Sequence, residues 1–157
     1  MNTYLKSALW AVTVLLFAAC GGGETDSQTK EGEKQTEQSL SEWELENGIG
    51  PVKEPVELGD ETDDELVAKG RDIYEMKCAA CHNMDSRLVG PPLAGVTFTR
   101  TPEFIMNFVL NPRENIEEHP LGQALLREYL TQMPNQNVDR EDARAILEYL
   151  RDYDANL

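Results

Sequence analysis

The 157 residues are enough for one ordinary domain with additions, and 40% of them are apolar. Fourteen Lys and Arg face 29 Asp and Glu, a formal net charge of −15. Such acidity repels phosphate and argues against nucleic acid as a partner; it suits solubility or a basic protein surface.

The charge is unevenly spread. Residues 21–63 hold 13 acidic and three basic side chains, a net −10, whereas residues 64–157 hold 16 acidic and ten basic, a net −6. Aliphatic residues are sparse in the first stretch and regularly spaced in the second. Low hydrophobicity with high net charge cannot bury enough surface to offset chain entropy. The chain therefore divides into a leader (1–19), an acidic flexible tether that starts at Cys20 (20–63) and one compact domain (64–157).

Met1 to Lys6 is a short polar start with one positive charge, and Ala8 to Ala19 is apolar apart from Thr13. Those twelve residues span about 18 Å as a helix, too short for a hydrocarbon core of about 30 Å. The segment reads as a signal peptide and not as an uncleaved anchor helix. It ends in Leu16-Phe17-Ala18-Ala19-Cys20, which resembles the lipobox of bacterial lipoproteins, with Phe17 departing from the usual Leu. That resemblance implies that Cys20 is lipidated and becomes the mature N-terminus, held at a membrane by its acyl chains. In the tether, Trp43 with Leu45 and Ile49 reads as an isolated aromatic in a flexible segment; the alternative is that it docks the tether on the domain or a partner.

From Asp63-Asp64-Glu65 a helical pattern begins, with Leu66, Val67, Gly70, Ile73 and Tyr74 at spacings of three and four and carboxylates at the favourable end of the dipole. Gly70 in mid-helix costs about 1 kcal/mol relative to Ala, which suggests close approach by another element. The pattern runs into Cys78-Ala79-Ala80-Cys81-His82, a c-type haem attachment motif. Residues three and four apart share a helical face, so Cys78 and Cys81 can form thioethers with one porphyrin while His82 presents its imidazole to the iron. A dithiol redox pair belongs in an α/β pattern that is absent here, and a structural zinc site needs four ligands where the chain offers two Cys, His82 and the distant His119. A plain disulfide would leave His82 without a role.

Leu88-Val89-Gly90-Pro91-Pro92-Leu93 forces an extended or turning backbone. A helix begins at Thr101-Pro102, with Phe104, Ile105, Phe108 and Val109 on its apolar face, and Pro112 closes it. Another runs from about Pro120 to Leu130; His119, beside Glu117 and Glu118, belongs on its solvated entrance. Met133-Pro134 breaks the pattern, and Asp139 caps a last helix with Ala143, Ile146, Leu147, Tyr149 and Leu150 on its buried side. Helical periodicity dominates, so the domain is all-α.

Residues 64–157 resemble a class I c-type cytochrome, the family of small monohaem electron carriers. The resemblance rests on a helix before the haem motif, the motif itself, the Gly-Pro-Pro-Leu segment and a Met-Pro ahead of a C-terminal helix. It implies one covalently attached haem c, with Gly70 and Tyr74 packed on the last helix near Ile146 and Tyr149. It also implies a hydrogen bond from the His82 ring to the Pro91 carbonyl, which would fix the tautomer that leaves the other nitrogen for iron. Met133, 51 residues beyond His82, matches the family's second axial ligand. Met76 and Met84 lie too near the motif to cross to the other haem face, and Met106 suits the core; His119 is the alternative ligand. No Trp lies in the domain, so a propionate partner is unassigned: Arg100 pairs with a propionate or sits in water.

With both axial positions filled, such an iron carries electrons and offers no place to a substrate. The reading is a single-electron carrier and no enzyme, with no small-molecule substrate and no catalytic residues. Its expected partners are a membrane-bound respiratory donor and a terminal oxidase or reductase, met in the periplasm or at the cell exterior. Two alternatives stand beside it: a haem subunit of a larger redox complex, or a gas-binding or enzymatic haem protein with an open sixth site.

Overall fold

The computed structural model describes residues 39–157. The leader, Cys20 and the first part of the expected tether lie outside the described residues. Among the described residues seven helices follow in chain order: α1 Glu42–Asn47, α2 Asp64–Lys77, α3 Val96–Thr99, α4 Pro102–Leu110, α5 Pro112–Glu118, α6 Pro120–Tyr129 and α7 Arg140–Ala155. No strand occurs among the described residues, and no helix there is long and apolar enough to cross a membrane.

Local chemistry explains the long helices. The Asp63 carboxylate accepts the free amides of Glu65 and Leu66 at the start of α2 (2.9 and 3.0 Å), and Asp139 accepts that of Asp142 in α7 (2.8 Å). Thr101 caps α4 through the Phe104 amide (3.1 Å), with Pro102 at a position that needs no N–H. Pro112 ends α4 as expected and also opens α5, a short helix the sequence reading does not contain.

The frame is the crossing of α2 on α7. A Cβ at position 70 would run into the Ala145 carbonyl and lie 2.9 Å from the Tyr149 Cβ, so only glycine lets the two backbones meet. One turn on, the Tyr74 and Tyr149 rings lie 5.3 Å apart, tilted by 49°. This is the packing implied for Gly70 and Tyr74. Ile146, Leu147 and Leu150 continue the α7 face into a core shared with Ile73, Ile105 and Met106.

A buried ion triad secures the same crossing. Glu148 on α7 is 1% exposed; it accepts from Arg151 (2.7 Å), from the Asp63 amide at the head of α2 (3.1 Å) and from Arg144. Burial pushes the Glu148 carboxyl up, but these hydrogen bonds and the arginine charge outweigh it and hold the group below its ordinary value of 4.5.

The expected tether boundary needs correction: the stretch from Ser41 to Leu58 is folded onto α4 and α5. A capping box joins Ser41 and Glu44 at the start of α1. The backbone from Asn47 to Val56 is then received by polar residues spaced four apart. Asn107 accepts the Val52 amide and donates to the carbonyls of Asn47 and Val52 (each 2.9 Å). Asn115 accepts the Ile49 amide (2.9 Å) and donates to the Ile49 carbonyl (2.6 Å), as does Asn111 (3.2 Å). Glu103 takes the Val56 amide at 2.6 Å. These side chains do for an irregular backbone what a neighbouring strand would do, leaving no buried side-chain polar atom unpartnered among the described residues. Trp43 packs half-buried here, its indole N–H donating to the Val52 carbonyl (3.4 Å), so the docked alternative describes it.

Glu148→Gln leaves two arginines without their counter-charge. It is expected to destabilise the protein at neutral pH by about 3 kcal/mol, the low end for a broken buried pair, because both arginines stay partly solvated. A carboxylate with a depressed pKa stabilises above its ordinary value and loses that effect as pH falls through the folded value. Denaturant midpoints of parent and variant are therefore expected to converge below about pH 4.5.

Candidate functional site

Helix α2 stops at Lys77, but the chain keeps turning. The Cys78 amide still bonds to Tyr74 (2.8 Å), and the amides of Cys81 and His82 return to the Cys78 carbonyl (3.0 and 2.9 Å). That extra turn places Cys78, Cys81 and His82 together on the wall of one cleft of about 420 Å³. The rest of its lining is largely apolar, with Ile105 and Phe108 from α4, Leu121, Leu125 and Leu126 from α6, and Ile146 and Leu150 from α7.

His82 is held from three sides. Its Nδ1 lies 2.9 Å from the Pro91 carbonyl. A carbonyl only accepts, so Nδ1 carries a proton, and of the two neutral tautomers this contact selects the one with its lone pair on Nε2. Its own carbonyl accepts the Tyr74 hydroxyl (2.8 Å), and the Gly90 amide closes the loop on the Cys81 carbonyl (2.8 Å). Burial, aided by the neighbouring Tyr149 and Cys78, pushes the Tyr74 phenol up to about 12, so it remains a donor throughout the physiological range. Gly90 lies flat on the imidazole: a Cβ there would sit 2.6 Å from Cε1 and 3.0 Å from Nδ1.

The loop that carries Pro91 is fixed from the far end of the domain. Asp154 in the last turn of α7 is 3% exposed and accepts the amides of Gly95 (2.6 Å) and Thr97 (2.9 Å), as well as the Thr97 hydroxyl (2.6 Å). It thus caps α3, which has no side-chain cap of its own. A carboxylate at a helix C-terminus opposes the dipole, and that local conflict was the one sequence signal for this role. Arg87, in the loop between His82 and Gly90, lies 4.2 Å above the Tyr129 ring and donates to the Glu128 carbonyl (3.1 Å), joining the loop to α6.

Of the candidate ligands, the cleft gathers some and leaves others out. Among the described residues, Met133 is the one methionine that lines it. Met76 is 73% exposed on α2, Met84 is buried in the core and Met106 is 1% exposed in α4. His119 does not sit on a solvated entrance: it is 5% exposed, its ring edge on Phe104 at 5.2 Å. Its Nδ1 accepts the Leu121 amide and its Nε2–H donates to the Leu45 carbonyl (each 3.1 Å), so it caps α6 and holds α1, away from the cleft. Arg100 stands exposed on the rim, its guanidinium 5.6 Å above the Phe104 ring.

This donor set fits a covalently held haem. Two thiols and an imidazole with a free Nε2 share one helical turn beside an apolar cleft. It does not fit a thiol-redox centre, which needs a stabilised thiolate; burial pushes the Cys78 thiol up, and Lys77 does not reverse that. Nor do the described residues contain three clustered His, Cys, Asp or Glu side chains for a structural metal.

Gly90→Ala is expected to push the His82 ring off the Pro91 carbonyl. The loaded protein should lose about 1–3 kcal/mol, an ordinary overpacking cost, and its haem absorption should shift, as thermal melts and optical spectra would show.

Residues 67–154 match the family model for cytochrome c. Cytochrome c from Rhodothermus marinus is 44% identical, with 73% of this chain and 97% of that chain covered and a TM-score of 0.69. An engineered cytochrome c from Rhodothermus marinus is 43% identical over 72% of this chain and 97% of its own, with a TM-score of 0.68. Another engineered form, bound to a carbene intermediate, has the same identity and coverage and a TM-score of 0.65. No curated protein matches the chain. With its fold, its Cys-Ala-Ala-Cys-His turn and these relatives in agreement, the chain belongs to the cytochrome c family of electron-transfer proteins, with covalently attached haem c as its cofactor.

Proposed function

We propose that this cytochrome is an exported single-electron carrier with His82 and Met133 as the axial ligands of its haem iron. The observation that carries this reading is the composition of the cleft: among the described residues it holds one histidine and one methionine, while His119, Met76, Met84 and Met106 are placed elsewhere. When bound, the haem supplies a one-electron couple. The protein's part is to keep that couple's surroundings constant. Pro91 and Gly90 fix the His82 ring and its tautomer. The apolar side chains of α4, α6 and α7 exclude water, which strengthens the electrostatic influence of every nearby dipole. Held by His82 and Met133, the haem would have a higher reduction potential, since Met/His ligation raises it. Arg100 is proposed to pair with a propionate from its position on the rim.

The N-terminal segment supports a membrane address. The lipobox-like run ending at Cys20 is consistent with a lipid anchor facing the periplasm or cell exterior. The partners proposed are therefore membrane-bound: a respiratory donor and a terminal oxidase or reductase. An intact mass of membrane-extracted protein tests the anchor, an unmodified N-terminus ruling it out.

Met133→Ala tests the axial assignment. The variant is expected to lose the weak far-red thioether–iron band of the oxidised protein, to fall in reduction potential and to bind carbon monoxide rapidly once reduced. An unchanged band and potential would remove Met133 from the iron.

A further inference from the structure

Met133 stands on the least supported backbone around the cleft. Residues 131–138 join α6 to α7 with no helix of their own, between a left-handed Leu130 (φ 54°) and the end of a turn that includes a left-handed Asn137 (φ 50°). Neither residue is glycine, so both conformations carry some strain. The hydrogen bonds inside the segment are local: the Gln136 side-chain amide donates to the Pro134 carbonyl (3.1 Å), and the Asn137 amide to the Asn135 side chain (2.7 Å). They shape the turn but do not attach it to anything.

Among the described residues, the hydrogen bonds that tie this segment to another element come from a single side chain. The Lys77 ammonium donates to the Gln136 carbonyl at 2.8 Å and lies 3.4 Å from the Asn137 carbonyl. Lys77 is the last residue of α2, adjacent to Cys78, and lines the same cleft as Met133. The helix whose end presents the cysteines thus also holds the Met133 segment. Since the acceptors are backbone carbonyls, the bond depends on a long cationic donor at position 77 and not on the side chains at 136 and 137.

We infer that Lys77 is a positioning residue for Met133: it keeps the 131–138 segment closed on the cleft and so sets how often the sixth position opens. This rests on the assignment of Met133 as axial ligand. A hydrogen bond from a charged donor is among the stronger ones, and this one is partly exposed, so its loss is expected to raise the open population about tenfold. The remaining attachment is apolar packing and the two covalent ends of the segment, which do not specify where Met133 stops.

The test uses the haem-loaded full chain as Lys77→Met, Lys77→Arg and Met133→Ala, read by the rate of carbon monoxide binding to reduced protein and by the far-red band of oxidised protein. Lys77→Met is expected to bind carbon monoxide about tenfold faster than the parent and to lose the far-red band at a lower temperature. Lys77→Arg, which keeps a long cationic donor, is expected to restore most of the parental rate. The helical circular dichroism melt should move much less than the band, which separates a held ligand from a generally weaker fold. Should the Met variant fail to mature, Lys77→Gln, too short and uncharged, is expected to show the same acceleration. A parental rate in whichever of these two variants matures, with the band lost in Met133→Ala, would overturn the positioning role alone. A far-red band that survives in Met133→Ala would remove the ligand assignment and this inference with it.

Discussion

Helix α2 can deliver Cys78, Cys81 and His82 to a cleft only because its middle lies on α7 with no side chain between them. Gly70 sets that distance, since any Cβ would meet the Ala145 carbonyl. Once the backbones touch, the Tyr74 ring rests beside Tyr149 and its hydroxyl reaches the His82 carbonyl. Ile146 and Leu150 on the same α7 face become cleft wall. The mid-helix glycine costs about 1 kcal/mol of helix propensity, and what it permits is the shared reference from which the site is built.

Around that crossing the domain is held by buried carboxylates as well as by apolar packing. Glu148 gathers the head of α2 and two arginines, Asp154 holds the segment beyond Pro91, and Glu103 receives the backbone of Val56. Each satisfies main-chain amides that no helix could satisfy, and each joins parts of the chain that are distant in sequence. A domain of this size builds a modest core, so directional bonds of this kind decide where loops lie. The site inherits their placement: the imidazole is aimed by a loop that Asp154 holds, and Met133 sits on a segment to which Lys77 is hydrogen-bonded.

The long helices were legible because their signals are local. Asp63, Thr101-Pro102 and Asp139 announce their own helix starts, and apolar residues three and four apart announce a face. The motif at Cys78, Cys81 and His82 was equally plain, since its chemistry lives within five residues. What escaped depends on partners far along the chain. Nothing near Asn107 or Asn115 says that they will receive a backbone some 55–66 residues earlier, so the acidic stretch around Trp43 reads as tether although part of it is structure. His119 looks solvated among glutamates, yet Phe104 and the Leu45 carbonyl enclose it. In hindsight, polar residues spaced by four at positions 103, 107, 111 and 115 form a stripe that an exposed helix would not need and a docked chain does.

In the proposed function one cleft brings a covalently attached haem together with His82 and Met133, so that both axial positions are closed. The most direct measurement is the absorption of the purified full chain, oxidised and reduced, with a pyridine haemochrome assay and carbon monoxide added to the reduced form. A carrier ligated in this way shows one c-type haem per chain, a sharp reduced α band, a weak far-red band that disappears on reduction, and slow carbon monoxide binding. Covalent haem without the far-red band, taking up carbon monoxide at once, would contradict it and leave a cytochrome with an open site.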